Sequence, residues 1–100
     1  MSIIIQSPHI LITKALNEFT KRKTGKLFQY YDRIESAAVV LKTANDDDRQ
    51  NKVCEIRLVV PGNDLFAEKH SHSFEEAVNK TVDALLEQLE KVKSKLVGSN

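Results

Sequence analysis

The stretch VCEIRLVVPGNDLFAEKH, from Val53 to His70, alternates in side-chain character on both sides of Pro61-Gly62-Asn63. Successive side chains of a strand point to opposite faces, so the alternation marks two extended segments. Proline presets φ near the value a turn requires and glycine accepts positive φ at no steric cost, so the interruption closes them into a hairpin. Cys54, Ile56, Leu58 and Val60 then share a face with Leu65 and Ala67, against Glu55, Arg57 and Val59 and against Phe66, Glu68 and His70. A hairpin with one apolar face is not stable alone; it needs more strands and a covering layer.

The remaining segments supply both. Ser2-Ile3-Ile4-Ile5-Gln6 reads as a short β-branched strand closed by Ser7-Pro8. Thr13 stands as the N-cap of a helix running through KALNEFTKRKTGKLFQYYDRI, with Leu16, Phe19, Lys23, Leu27 and Tyr30 at three- and four-residue steps and Lys23 at the border of the stripe. Gly25 costs this helix about 1 kcal/mol relative to alanine and leaves room for a bend. Ile34–Thr43 reads as a second strand, with Ala37, Val39 and Leu41 on one face and Ala38, Val40 and Lys42 on the other. NDDDRQNK is a polar connection to the hairpin. The last element, SFEEAVNKTVDALLEQLEKVKSKL, is capped by Ser73, carries Glu75 and Glu76 at its positive end and Lys91, Lys93 and Lys95 toward its negative end, and buries a stripe of Phe74, Val78, Val82, Leu85, Leu89, Val92 and Leu96. The expected fold is α+β, β-α-β-β-β-α, with two helices on one face of a four-stranded sheet and the other face partly open. Residues 1–97 are expected to form a single domain and 98–100 a short tail.

Composition narrows the function. At 41% hydrophobic and 29% charged residues, the chain is too apolar to be disordered. No apolar run approaches the ~20 residues that span a bilayer, and MSIIIQSP has neither the length nor the basic start of a secretory signal. The single cysteine leaves no intramolecular disulfide, which together point to a cytoplasmic protein without a membrane partner. A formal net charge of +1 and a pI near 7.9 fall short of a dedicated polyanion binder, so affinity for nucleic acid has to come from segregated charge.

Catalytic and metal chemistries fit poorly. His70 and His72, with His9 as a third imidazole, lack a spacing that assembles the three or four ligands of a zinc site. Asp46-Asp47-Asp48 lacks the turn glycine and distal glutamate of a calcium loop. Cys54 sits in the inward register of a strand, where cysteine is a small hydrophobe, and no base or phosphate loop accompanies it. The expectation is a non-enzymatic protein with no cofactor, no metal and no small-molecule substrate.

The basic residues are more informative. Arg22 and Lys26 stand four apart on one flank of the first helix, Lys23 borders its core stripe, and Arg33 follows near its end. On the second helix Lys80, Lys91 and Lys95 lie away from the apolar stripe. Helices lying side by side would set these residues around one shared groove able to track phosphates. The bland alternative is that they are solvated charges of two surface helices, and Glu87 and Glu90 intrude among them.

IRLVVPGNDLFAE, followed shortly by a helix, resembles the V-P-G-N-x-L-x-A turn of the bacterial ribosome hibernation-promoting factors, the ribosome-associated inhibitor or YfiA-type family. The resemblance runs from Ile3 to about Lys95: Ile3-x-Ile5 and His9, Thr13-x-Ala15-Leu16, Arg22-Lys23, Gly25-Lys26-Leu27, Tyr30-Tyr31-Asp32, Val39-Val40-Leu41, Val82-Asp83, Leu85, Gln88-Leu89 and Lys91 fall in order and spacing. It implies a fold similar to double-stranded-RNA-binding domains and a factor that binds the small ribosomal subunit and its rRNA in the messenger and transfer RNA channel, inhibiting translation in resting cells. It also implies that the basic residues of the two helices, by position Arg22, Lys23, Lys26 and Lys91, meet the RNA, with Lys80 and Lys95 as substitutes where Ala84, Glu87 and Glu90 depart from the pattern. Long-form members carry a further C-terminal dimerisation domain, so the expectation here is a short form, monomeric when free. Two other readings stay open at this level: a generic structured-RNA binder using the same groove, and a protein-interaction domain using outward Val59 and Phe66.

Overall fold

In the computed structural model, which describes residues 2–44 and 50–98, the elements are β1 (Ile3–Gln6), α1 (Lys14–Tyr30), β2 (Ser36–Thr43), β3 (Lys52–Val60), β4 (Asn63–Ser71) and α2 (Phe74–Gly98). The order is the β-α-β-β-β-α expected, and the fold is α+β with a four-stranded mixed sheet in the order β1-β2-β3-β4. β1 runs parallel to β2, with Ile3 opposite Ala37 and Ile5 opposite Val39. β2–β3 and β3–β4 are antiparallel, pairing Val39 with Ile56 and Ile56 with Ala67. The Asp46-Asp47-Asp48 loop lies outside the described residues.

The hairpin turns where the sequence says it must. Val60 pairs with Asn63, leaving Pro61 and Gly62 as the two-residue connection, and Gly62 has φ of 90°. Proline at the first and a positive-φ glycine at the second central position is the type II pattern, which a side chain at Gly62 would strain.

The helices begin at side-chain caps. Thr13 is extended (φ −73°, ψ 160°) and its Oγ1 accepts from the Leu16 N–H at 3.0 Å. Ser73 Oγ accepts from the Glu76 N–H at 3.2 Å, while the Glu76 carboxylate accepts from the buried Ser71 hydroxyl at 2.7 Å, tying the end of β4 to the start of α2. α1 continues unbroken through Gly25, where an added Cβ would meet open space, so the glycine neither bends the helix nor relieves a clash.

The core lies between the helices and one sheet face. Leu27, Leu41, Ile56, Leu58, Leu85 and Leu89 are fully buried there, each contributing on the order of 2 kcal/mol of apolar transfer. Two details of α1 differ from expectation. The helix stops at Tyr30, and Tyr31 leaves it extended (φ −138°, ψ 107°), so Tyr31 enters the core at 6% exposure while Tyr30 stays at 36%. The helical repeat no longer governs direction once the chain has left the helix. Thr20 and Thr24 also line the buried stripe; the Thr20 hydroxyl donates to the Leu16 carbonyl at 2.8 Å, whereas Thr24 Oγ1 has no hydrogen-bond partner among the described residues.

Among the described residues no helix covers the opposite sheet face. Ile4 is 58% and Phe66 42% exposed there, in one cross-strand row with Ala38 and Arg57. No helix among the described residues is long and apolar enough to cross a membrane.

Candidate RNA interface

α1 positions three cations along its exposed side. Lys23 lies half-buried at the border of the core stripe, one turn before Leu27, and Arg22 and Lys26 bracket it on the outer side, fully exposed. Lys26, and after it Arg22, push the Lys23 ammonium below the ordinary lysine value; Asp83 of α2 partly offsets them. Positive charges crowd here faster than acids compensate. No ion pair within 4.0 Å forms at Arg22, Lys23 or Lys26 among the described residues.

Aromatic rings are set among these cations. The Arg22 guanidinium lies 5.5 Å and the Lys23 ammonium 5.6 Å from the centre of the half-buried Phe19 ring. Three turns on, Lys93 of α2 stands 4.3 Å from the centre of the Tyr30 ring and donates to the Tyr30 carbonyl at 3.3 Å. Lys93 is thus the α2 cation that faces α1.

The other α2 cations line recesses of their own. Lys80 lines a shallow recess of about 290 Å³ with Lys69 of β4, Asp83, Ala84 and Glu87. Lys91 and Lys95 border one of about 500 Å³ with Glu90 and Ser94. Lys95 and Arg33 come together instead at the hairpin turn, around a recess of about 560 Å³ walled by Tyr31, Val60, Leu65 and Val92 and by the turn residues Pro61, Gly62 and Asn63. The reason is angular. With 3.6 residues per turn, Lys80, Lys91 and Lys95 lie on the β4 side of the apolar stripe of α2, and Lys93 lies on the α1 side.

The sheet offers no rival chemistry. The Cys54 thiol is buried at 0% exposure and burial pushes its pKa up to about 12, so it is no nucleophile. The backbone there is held by α2, whose Thr81 hydroxyl contacts the Cys54 carbonyl at 3.2 Å and donates to the Ala77 carbonyl at 2.7 Å. His70 pairs with Glu68 at 3.0 Å, and among the described residues no group of three or more His, Cys, Asp and Glu could hold a metal ion.

Comparison with known proteins adds the family. The sigma 54 modulation protein / S30EA ribosomal protein family matches residues 3–97. The ribosome hibernation promoting factor of Escherichia coli K12 is 34% identical over 96 residues, covering 96% of this chain and 97% of that protein. The ribosome hibernation promotion factor of Deinococcus radiodurans is 33% identical over 87% of this chain, which spans only 46% of the length of that relative. Among solved structures, the N-terminal domain of Thermus thermophilus Protein Y superposes with a TM-score of 0.75 at 26% identity, covering 92% of this chain and 99% of that one. A ribosomal subunit interface protein from Coxiella burnetii shares the fold with a TM-score of 0.82 at 23% identity, covering 95% and 100%. This chain therefore belongs to the sigma 54 modulation protein / S30EA ribosomal protein family, the family of the ribosome hibernation promoting factors.

Proposed function

We propose that this protein is a cytoplasmic, non-enzymatic ribosome hibernation factor that lays its helical side on the rRNA of the small subunit, within the messenger and transfer RNA channel, and so inhibits translation. The observation that carries this reading is the group of three exposed or half-exposed α1 cations, Arg22, Lys23 and Lys26, with no acid within ion-pair distance among the described residues. Family membership names the partner class; the unpaired cations supply what a phosphate backbone requires, since each neutralised phosphate releases a counterion. Lys93, Arg33 and Lys95 extend the positive surface toward the hairpin turn, and Lys80 and Lys91 add outlying contacts.

Sucrose-gradient sedimentation with isolated small subunits, whole ribosomes and a naked RNA duplex tests the proposal. Comigration with small subunits and ribosomes, together with inhibition of a cell-free translation reaction, is the expected result. Binding to the naked duplex with none to ribosomes would make the protein a generic RNA binder. Binding to neither would move the functional surface to the open sheet face.

A further inference from the structure

We propose that the α1–α2 groove is a stacking platform for unpaired RNA bases, with Phe19 and Tyr30 as its ring faces and Arg22, Lys23 and Lys93 as the cations that hold the phosphates beside them. The inference rests on the ribosomal-RNA reading above and specifies which form of RNA the groove takes.

Three observations combine. First, neither ring is fully buried: Phe19 is half-buried against the core and Tyr30 is 36% exposed. Second, they lie on one flank of α1. Eleven residues separate them, close to three whole turns, so they are aligned at roughly 16 Å along the axis. Third, each ring has cations against it, at 5.5 and 5.6 Å for Phe19 and 4.3 Å for Tyr30. A surface built only to track a duplex backbone needs charge and gains nothing from rings left partly open to solvent. A base offers a π-face and carries its phosphate a few ångströms away, so aromatic faces interleaved with cations suit single-stranded segments. An acidic peptide would satisfy the cations and leave the rings unused.

Stacking and phosphate contact differ in their response to salt, since only phosphate contact releases counterions. The decisive measurement is the affinity of full-length Phe19→Leu, Tyr30→Leu, Tyr30→Trp and Lys26→Gln proteins for purified small subunits across a salt series. The leucine variants keep the apolar bulk, and circular dichroism with thermal melting checks their fold. Each leucine substitution is expected to weaken binding roughly five- to a hundredfold with the salt slope unchanged. Tyr30→Trp is expected to bind as wild type, and Lys26→Gln to lower the slope by about one. If the folded leucine variants bind like wild type while Lys26→Gln still weakens binding, the platform is wrong and the ribosomal reading stands. If wild type does not bind small subunits at all, the ribosomal reading falls. The platform is then judged with an oligoadenylate and an abasic oligomer of equal length: preference for the base-bearing strand, lost in Tyr30→Leu, supports it, and equal binding overturns it.

Discussion

On the open sheet face Lys42 lies against Glu55, Arg57 stands 3.8 Å from Asp64, and His70 meets Glu68 at 3.0 Å. On α1, Arg22, Lys23 and Lys26 crowd one another instead, with no such partner among the described residues. The same residue types thus do opposite things on the two sides. Lys42 and Arg57 on the open sheet face have acidic partners within the protein, and Lys42 is also stabilised by Glu68, the like charge directly opposite Glu55. Helix cations repel one another, and under the proposed function an external polyanion would relieve that repulsion. Cations without internal partners, more than their number, distinguish a binding surface from a solvated one.

The contrast is broken most directly by charge reversal. Arg22→Glu with Lys26→Glu should weaken ribosome binding by several kcal/mol, with melting temperature little changed because exposed charges contribute little to stability. Lys42→Glu with Arg57→Glu on the sheet should do the reverse, lowering the melting temperature by setting two new carboxylates among Glu55, Asp64 and Glu68, while ribosome affinity stays near wild type. Equal losses of binding from both pairs, measured by sedimentation and melting, would erase the distinction between the faces.

Gly25 allows a finer cut. It sits in an intact helix with space for a Cβ, so Gly25→Ala should stabilise the protein by about 1 kcal/mol, or some 4–8 °C in a domain of this size. If the bare backbone there is a point of close RNA approach beside Lys26, the same variant binds ribosomes more weakly. A gain in stability with unchanged binding would confine the interface to the side chains around it.

How much of this was legible in the sequence follows from which forces are local. The alternation of Cys54 to Val60, the Pro61-Gly62 turn and the Thr13 and Ser73 caps are decided within a few residues, and they are found as read. The helical repeat places Tyr30 on the buried stripe, and it is exposed instead, while Tyr31 enters the core, because both directions depend on where α1 ends, which the repeat does not state. Lys93 was passed over because membership of the groove depends on which flank of α2 packs against α1. That is a tertiary fact, and the apolar stripe constrains it only to within about one residue either way.

A third difference concerns association. Phe66 and Ile4 are exposed on the sheet but lie at opposite ends of one row, with Arg57 over the Phe66 ring at 5.3 Å. Split in this way they form no broad apolar patch, so light scattering at micromolar concentration should return a monomer of 11.3 kDa. A mass twice that would make the sheet a self-association surface.

The smallest effect is in alkaline titration. The Glu55 hydrogen bond and charge raise Lys42 above the ordinary lysine value of 10.5, whereas Lys26 and partial desolvation lower Lys23. Lys42 therefore supplies stability that is complete below 10.5 and lost as pH rises through its raised value. Lys23 does the opposite, since the native state sheds its proton first, and stability rises with pH between its lowered value and 10.5. Melts of Lys42→Gln and Lys23→Gln through this range should each remove one of the two opposed slopes. Identical profiles would show that neither contact is held in solution.

The last strand of the sheet has a further consequence, for how the protein can be stored. β4 ends the strand order, so one of its edges has no neighbouring strand among the described residues and could template another chain. The Gln88 side-chain amide reaches down from α2 and donates to the Phe66 carbonyl at 3.0 Å, occupying an acceptor that an incoming strand would otherwise use. Fibre growth along that border would have to peel this contact away first, and the opposite border, β1, offers only four residues. One glutamine amide thereby covers part of the backbone that edge-to-edge association would need.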